Sequence, residues 1–414
     1  MINYFYDTYS ILNKVYSDKA FVKQAINSTI IEEKNRALTI KTVYGVLDKD
    51  IELSYYLSKL CDKSPKLAIR TIIKISMYAI KFLGKKEYAV VQNAVELTKK
   101  LGKSGASGFV NALLRKFIKT KIELPSETLE NLSIKYSYPL FAVKELLNVY
   151  GKERTESILG AISVENTLFF PEIDSEKYLK ERSVKYKKTP FDKAFLVENF
   201  VRNKDYDDGL YTFQALGSVA ICDIVEKCDK LLDCCAAPGG KSINLSYKCN
   251  SITSWDIHSH RVELINDYSK RMHRENVNAS VADAKVYNKE LKEYFDAVLC
   301  DAPCSGLGVS LDNPDIKLNR TKDDVEGLRK EQFAILNNVC KYVKIGGYLY
   351  YSTCSILNSE NVDIIKEFLS KNQNFQIEKI TSKLPHEDYV GTNAFLPDIS
   401  FGQGFFVAKL KRIN

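Results

Sequence analysis

Apolar and polar positions alternate with a helical period through the first 120 residues. One run places its apolar side chains on a single helix face, at Ile69, Ile72, Ile73, Met77 and Ile80. Gly84 follows this run, and a second helical pattern extends from about Tyr88 to Leu101. Because apolar residues three and four positions apart share one face of an α-helix, the pattern predicts an all-α helical bundle over residues 1–120.

A different pattern begins at Gly209, where short apolar runs alternate with amphipathic stretches of helical length. The apolar runs are Lys230–Leu232, Ile252–Trp255, Ala279–Val281, Ala297–Cys300, Tyr348–Ser352 and Phe405–Leu410. Helical stretches, such as the one around Val325–Val343, separate several of them. This alternation predicts an α/β fold with a doubly wound, Rossmann-like sheet over residues 206–414.

The residues between these two regions carry a weaker pattern. A helical stretch runs from Ala142 to Tyr150, and a strand–turn–strand pattern lies near Thr189 to Val201. We expect a small linking subdomain over residues 121–205, and hence three domains, 1–120, 121–205 and 206–414. A chain of 414 residues is too long for one ordinary core, which agrees with this division.

Positive charge is concentrated in the predicted helical bundle. The chain has a net charge of +8, with +11 in residues 1–120, −2 in residues 121–210 and −1 in residues 211–414. Such a concentration suggests a polyanionic partner, most commonly nucleic acid. Lysines that only keep the helices hydrated explain the same charge equally well, so charge alone leaves both interpretations open.

Composition argues against several other classes of protein. Hydrophobic residues make up 45% of the chain and no apolar run reaches the roughly 18 residues that cross a bilayer, so we expect no membrane partner. The first residues lack a basic segment and a small-residue cleavage site, which predicts a cytoplasmic protein without a secretory leader. The ten cysteines include no Cys-x-x-Cys pair, so we expect reduced thiols and no metal site.

The most distinctive segment leaves a predicted strand, passes a pair of glycines and enters a helix. It reads Cys235-Ala236-Ala237-Pro238-Gly239-Gly240-Lys241. A turn of this kind at the carboxyl end of a parallel strand lets backbone approach a nucleotide-like ligand. Asp256 ends the next strand and Asp283 follows the third, where doubly wound folds place groups that contact a ribose and a base. Together these strand ends predict a cofactor site.

Two further strand ends carry cysteines. Asp301-Ala302-Pro303-Cys304-Ser305 follows the fourth predicted strand, and Ser352-Thr353-Cys354-Ser355 ends the fifth. Cysteines are most often buried packing residues, and Cys222, Cys228, Cys300 and Cys340 are interpreted in that way. Cys304 and Cys354, on loops where a substrate would lie, are instead candidates for chemistry.

These motifs resemble the RsmB (Sun) family of RNA 5-methylcytosine methyltransferases. The resemblance rests on the motifs at 235–241, 301–305 and 352–355, with further agreement at Pro314-Asp315-Ile316-Lys317, Glu360-Asn361 and Gly404-Phe405-Phe406. The segments at 88–96 and 109–117 resemble the NusB-like RNA-binding domain that precedes the catalytic domain in this family. The resemblance therefore implies a class I methyltransferase sheet behind a NusB-like helical bundle.

The resemblance also implies roles for individual residues. The cofactor would be S-adenosyl-L-methionine, held by Cys235 to Lys241, Asp256, Asp283 and Asp301. Cys354 would be the nucleophile and Cys304 the cysteine that assists product release. Apart from the resemblance, the chemistry suggests that Asp301 hydrogen-bonds the base. The implied partner is 16S ribosomal RNA, unassembled or partly assembled, and the implied product is 5-methylcytosine.

The chemistry gives a reason for two thiols. Carbon 5 of cytosine is a weak nucleophile, and addition of a thiolate to carbon 6 makes it reactive toward a methyl donor. The later loss of a proton from carbon 5 and expulsion of the cysteine are aided by a second group. Two other functions stay open: a transfer RNA cytosine-5 methyltransferase, and a non-catalytic NusB-like assembly or antitermination factor. The sequence indicates neither the target nucleotide nor the oligomeric state.

Overall fold

The structure is a computed structural model that describes residues 2–162, 166–198 and 200–414. Its helices, in chain order, are α1 (Ile2–Asp18), α2 (Val22–Asn27), α3 (Glu33–Asp48), α4 (Asp50–Leu60), α5 (Leu67–Lys81), α6 (Glu87–Lys100), α7 (Ser107–Lys119), α8 (Thr128–Tyr136), α9 (Leu140–Leu159), α10 (Ser175–Glu181), α11 (Lys204–Asp207), α12 (Leu216–Ile224), α13 (Gly240–Leu245), α14 (Ser259–Arg271), α15 (Ile316–Asn319), α16 (Lys322–Val339) and α17 (Val362–Lys371).

The strands fall into two sheets. They are β1 (Asn166–Phe169), β2 (Tyr186–Lys188), β3 (Ala194–Val197), β4 (Thr212–Phe213), β5 (Lys230–Asp233), β6 (Ser251–Asp256), β7 (Val277–Val281), β8 (Phe295–Asp301), β9 (Val343–Thr353), β10 (Phe375–Ile377), β11 (Glu387–Tyr389), β12 (Thr392–Phe395) and β13 (Phe405–Arg412). The chain divides into a helical unit, residues 1–159 with 310–321, and a sheet unit, residues 160–309 with 322–414.

The helical unit is built from α1–α9 and α15, which confirms the predicted all-α region. Helix α5 lies at its centre, because nearly every side chain from Ile69 to Ala79 is buried. The predicted run of isoleucines therefore packs as expected. Helix α9 is bent at Gly151, whose φ of 72° is left-handed and is tolerated by glycine.

One segment of the helical unit comes from far along the sequence. Residues 310–321, including α15, pack with the first 159 residues. Lys317 is buried and its Nζ donates to Asp48 Oδ1 at 2.6 Å and to the Asp48 carbonyl at 3.1 Å. Tyr138 Oη and Ser310 Oγ lie 2.9 Å apart and share a hydrogen bond. The helical unit is thus completed by residues that follow β8 in the chain.

The larger sheet of the sheet unit confirms the predicted α/β fold. Its order is β11-β12-β13-β9-β8-β5-β6-β7, and β10 pairs with β13. Strands β7, β6, β5, β8 and β9 are parallel neighbours, while β13 pairs antiparallel with β9. The strand order therefore reverses at β5, and ligands of open α/β sheets bind beside such a reversal, at the carboxyl ends of the strands.

Each predicted strand in this region lies within an observed strand, and the apolar runs of the central strands are buried on both faces of the sheet. Leu231 and Leu232 of β5, for example, belong to clusters on opposite faces. Asp301 at the end of β8 lies beside Ser352 of β9, and Cys354 comes one residue after that strand. The parallel strands thus bring the predicted site residues to one edge of the sheet.

Strands β1, β2, β3 and β4 form the smaller, antiparallel sheet, with the order β2-β3-β1-β4. Of the strand–turn–strand predicted near Thr189 to Val201, the structure has the second strand, β3, within that range, and β3 pairs antiparallel with β2, which ends just before Thr189; residue 199 lies outside the described residues. Residues 121–159 pack in the helical unit, and the boundaries at 120 and 205 stay predictions. Within the described ranges, no helix is long and apolar enough to span a membrane.

Candidate active site

The turn between β5 and α13 begins the site. Gly239 caps α13 with a φ of 106°, a conformation that side-chain-bearing residues rarely adopt, and this explains a glycine at that position. The backbone N–H of Ala236 donates to the Trp255 carbonyl at 2.8 Å, which ties the turn to β6. The segment 235–241 is therefore held at the edge where β5 and β6 end.

A buried carboxyl group lies directly beneath this turn. Asp233 is fully buried, and its Oδ2 accepts a hydrogen bond from Ser242 Oγ at 2.6 Å. Ser242 Oγ also lies 2.8 Å from Ser254 Oγ of β6. Burial raises the pKa of Asp233 to about 7, although the hydrogen bond from Ser242 acts in the opposite direction. These contacts join the first turn of α13 to β5 and β6.

Two further aspartates lie at the predicted strand ends. Asp256 is 4% exposed, and its Oδ1 accepts from the His258 N–H at 3.1 Å. Arg261 approaches Asp256 Oδ2 at 3.4 Å and donates to the Ala237 carbonyl at 3.1 Å, so one side chain joins the turn to the end of β6. Asp283, after β7, accepts from the Lys285 N–H at 2.9 Å.

These groups open into a cavity of about 380 Å³, here called the strand-end cavity. Its walls include seven residues predicted from the sequence: Cys235, Ala237, Asp256, Asp283, Asp301, Cys304 and Cys354. The volume lies within the range of small-molecule sites. Two of these residues, Asp256 and Asp283, carry carboxylates that suit hydrogen bonds to a ribose and to a base edge. The side chain of Ile257, which is exposed, also lines the cavity. Together these groups fit the nucleoside half of S-adenosyl-L-methionine.

The remaining predicted residues complete the turn beside the cavity. Ala236, Pro238, Gly239 and Gly240 form its backbone. Lys241 Nζ lies 2.7 Å from Asp301 Oδ2, and Ser352 Oγ donates to Asp301 Oδ1 at 2.7 Å. Burial by itself lowers the pKa of Lys241, but the Asp301 carboxylate outweighs this effect and raises it above its usual value. A charged pair thus joins α13 to the end of β8.

The two candidate cysteines meet at the edge of the cavity. Cys304 Sγ and Cys354 Sγ are 3.0 Å apart, and the Cys354 N–H donates to Cys304 Sγ at 3.3 Å. The hydrogen bond with Cys354, burial, and the charges of Cys354 and Glu360 raise the pKa of the Cys304 thiol. The two thiols therefore lie within hydrogen-bonding distance of each other at the edge of the cavity.

Several neighbours were not identified from the sequence. Arg261, Glu331 and Ile335 line the cavity, and Gln332 and Glu360 bond the cysteine loops. Charged residues on helices usually face solvent, so neither their types nor their spacing indicated that they belong to the site. Glu360 was noted only as part of a family motif. Among the residues that the structure describes, no group of three or more His, Cys, Asp or Glu residues is arranged to hold a metal ion.

Family models and relatives of known name match most of the chain. Residues 223–411 match the family described as 16S rRNA methyltransferase RsmB/F, and residues 8–119 match the NusB family. A relative from Bacillus subtilis (strain 168), named a probable ribosomal RNA small subunit methyltransferase B, is 30% identical over 97% of this chain and 95% of its own length. The Escherichia coli (strain SMS-3-5 / SECEC) ribosomal RNA small subunit methyltransferase B is 27% identical over 92% of this chain and 91% of its own.

Solved structures share the fold. The crystal structure of PH0851 has a TM-score of 0.83 at 21% identity and covers 99% of this chain and 98% of its own. A methyltransferase homologue from Pyrococcus horikoshii has a TM-score of 0.61 at 23% identity, with coverage of 70% of this chain and 100% of its own. From the family matches and the full-length relative, the chain belongs to the RsmB/F family of 16S rRNA methyltransferases and carries a NusB-family region in its first 120 residues.

Proposed function

We propose that the protein methylates carbon 5 of one cytosine in 16S ribosomal RNA, through a covalent bond between Cys354 and the base. The observation that carries this proposal is the pair of sulfur atoms 3.0 Å apart at neighbouring strand ends. They border a cavity that fits a nucleoside cofactor. Family membership supports rRNA methylation, and the names of the relatives support the small subunit as substrate.

Residues 235–241, Asp256, Asp283 and Asp301 would hold S-adenosyl-L-methionine. Bound there, it supplies an electrophilic methyl group on a sulfonium centre. Asp256 would accept hydrogen bonds from ribose hydroxyls, and Asp283 would face the adenine edge. The backbone at Gly239 lets the chain approach without a side chain intervening.

In the proposed reaction, the Cys354 thiolate adds to carbon 6 of an unpaired or flipped-out cytosine. The electron pair of the 5,6 double bond then makes carbon 5 nucleophilic, and carbon 5 takes the methyl group as the bond between that methyl and the sulfonium sulfur breaks, which would leave a neutral thioether. Removal of the proton at carbon 5 re-forms the double bond and expels the Cys354 thiolate. Cys304 would assist this release. Asp301 has acceptor sites beyond those used by Lys241 and Ser352, and would accept from the cytosine amino group.

Substitution of each cysteine tests the proposal. Cys354→Ala cannot form the adduct, so we expect no methylated RNA and no protein–RNA species on a denaturing gel. Cys304→Ala should still attack and should accumulate a stable protein–RNA species, because release is impaired. The double variant should lose that species.

Other patterns would identify other roles. A trapped band with Cys354→Ala instead would exchange the roles of the two cysteines. Loss of stability in both variants without trapping would mean that both thiols are structural. Cys340→Ala, a buried cysteine elsewhere in the sheet unit, is the control and should trap nothing.

Mapping 5-methylcytosine in total RNA with and without the gene tests the substrate. We expect one site in 16S rRNA to disappear. Loss of a transfer RNA site would assign the other substrate class, and no loss would favour the non-catalytic alternative.

We further propose that the helical unit contributes RNA binding through the groove between α6 and α7. This groove has a volume of about 700 Å³ and is lined in part by Tyr88, Lys99, Arg115 and Lys119. Tyr88 is 73% exposed, which suits stacking on an unpaired base, and the three cations suit phosphates. The +11 charge of residues 1–120 supports the same assignment.

A further inference from the structure

A second pair of thiols lies at the edge of the large sheet opposite the strand-end cavity. Cys228 Sγ is 3.4 Å from Cys249 Sγ, a distance at which one thiol donates a hydrogen bond to the other. Cys228 comes two residues before β5 and Cys249 two residues before β6, so both precede the amino ends of their strands. Neither cysteine lines the strand-end cavity, and the pair is therefore separate from the candidate active site.

The backbone holds these two cysteines opposite each other. Strands β5 and β6 are parallel, and Lys230 pairs with Ser251. Continuing this register by two residues places Cys228 opposite Cys249, and the Asn250 N–H donates to the Cys228 carbonyl at 3.2 Å. Neighbouring strands lie about 4.8 Å apart, and a disulfide needs Cα atoms roughly 4.4–6.8 Å apart. The spacing of the two chain segments therefore suits a disulfide.

The two thiols differ in their access to solvent. Cys249 is 3% exposed and packs in the core of the sheet unit, whereas Cys228 is only partly buried. The sequence pattern suggested a buried packing role for Cys228, so its partial exposure is a finding of the structure. A small oxidant can consequently reach Cys228 first, with the covered Cys249 thiol beside it to react second.

Paired thiols have two common uses, as metal ligands and as a disulfide. A stable metal centre needs more than two protein ligands. Among the residues that the structure describes, no third His, Cys, Asp or Glu side chain joins this pair in a group that could hold a metal ion. The geometry therefore favours the disulfide.

We propose that Cys228 and Cys249 form a reversible disulfide when the protein meets a peroxide. The O–O bond of hydrogen peroxide breaks as the Cys228 thiol becomes a sulfenic acid, and one water leaves. The Cys249 sulfur then attacks the Cys228 sulfur, the S–S bond forms, and the sulfenic oxygen leaves as a second water with the Cys249 proton. In all, two electrons pass from the two sulfurs to the peroxide. A dithiol reductant reverses the change by thiol–disulfide exchange.

The disulfide closes the segment of chain that carries the cofactor turn. Residues 228–249 include β5, the turn at 235–241 and α13. Joining the two ends of a segment restricts the unfolded chain more than the folded one, and so stabilises the folded state. The oxidised protein is therefore more stable than the reduced protein. This inference does not rest on the proposed function, because it concerns the protein without RNA or cofactor.

Peptide mapping of the full-length protein tests for the bond. The protein is treated with hydrogen peroxide, its remaining thiols are blocked with N-ethylmaleimide, and trypsin is added without reductant. Lysines at positions 227, 230 and 248 allow trypsin to release the two cysteines on separate peptides, residues 228–230 and 249–261. We expect mass spectrometry to find these peptides joined in most chains, and dithiothreitol to separate them.

Serine variants give the control for the mapping. Cys228→Ser should lose the joined peptides, whereas Cys340→Ser removes a buried cysteine elsewhere in the sheet unit and should keep them. Absence of the joined peptides in wild type would overturn the proposal, as would oxidation that stops at a sulfenic acid on Cys228. Joined peptides that form only in urea would overturn it too, because the folded backbone would then not supply the geometry.

Thermal unfolding measures the effect of the bond on stability. We expect the Tm of oxidised wild type to lie about 5 °C above that of reduced wild type. Cys228→Ser, oxidised in the same way, corrects for oxidation elsewhere, including at Cys304 and Cys354, and its Tm should not rise. Equal Tm values for oxidised and reduced wild type would refute the stabilisation of residues 228–249, even where the joined peptides are found.

Discussion

Each unit of the protein buries a lysine against an aspartate, yet the two pairs differ in electrostatic character. In the helical unit, Lys317 lies 2.6 Å from Asp48, and in the sheet unit Lys241 lies 2.7 Å from Asp301. Burial lowers the pKa of Lys317, and the nearby carboxylates do not fully offset this. The pKa of Lys241 is raised instead, because Asp301 and two thiols outweigh burial.

A short ion pair therefore does not define a function by itself. Lys317 has another cation, Lys49, among its neighbours, which further disfavours its charge. Lys241 is surrounded by groups that carry or develop negative charge, including Cys354. The first pair joins two parts of a helical core, whereas the second maintains a positive charge where the proposed thiolate forms.

The largest expected effect comes from breaking the pair in the sheet unit. Lys241→Met should lower the single-turnover rate of methyl transfer by roughly 100- to 1000-fold, since removing a preorganised group that stabilises a developing anion costs about 2.7–4 kcal/mol of activation free energy. Lys344→Met removes a lysine–aspartate pair elsewhere in the same unit and should leave the rate unchanged. Equal rates for Lys241→Met and wild type would mean that the buried pair of the sheet unit, like that of the helical unit, has only a structural role.

Breaking the helical pair should affect stability instead. Asp48→Asn leaves Lys317 buried without its counter-charge, and we expect the free energy of unfolding to fall by about 3 kcal/mol, measured with urea. Lys317→Met should cost less, because Asp48 is 34% exposed and regains water. If Lys317→Met were less stable than Asp48→Asn, desolvation of an unpaired Lys317 would not be the main cost of breaking the pair.

A smaller effect is expected on the affinity for the cofactor, whose binding we assign to the sheet unit. Asp256→Ala should weaken binding of S-adenosyl-L-methionine by about 1.5–3 kcal/mol, or one to two orders of magnitude, through loss of a charged acceptor. Asp267→Ala, on the exposed face of α14, is the matched control. Calorimetry that gave equal affinities for wild type and Asp256→Ala would remove Asp256 from the site.

The smallest effect concerns the helical unit's share of RNA binding. The double substitution Arg115→Ala with Lys119→Ala should weaken RNA binding about tenfold and reduce the salt dependence of log affinity by roughly 1.5, as expected for two lost phosphate contacts. Lys34→Ala with Arg36→Ala removes the same charges from an exposed part of α3. Equal losses in both variants would mean that net charge, and not the α6–α7 groove, determines affinity.

The sequence predicted the parts of the protein that depend on local pattern. The central parallel strands and the site residues at their ends follow from buried apolar runs and from motifs such as 235–241. The short strands β10, β11 and β12 were not predicted, because three or four residues are too few to show a periodicity. Glu360 and Gln332 were missed as a network because hydrogen bonding between distant segments leaves no trace in spacing.

The packing of residues 310–321 with the helical unit has a consequence for the order of synthesis. Residues 1–159 are synthesised well before Lys317. Asp48 therefore stays without its ion-pair partner while about 150 further residues are added to the chain. At translation rates of about 5–20 residues per second, this interval lasts roughly ten to thirty seconds. A nascent chain halted before residue 310 should therefore have a more protease-sensitive helical region than one halted well beyond residue 321.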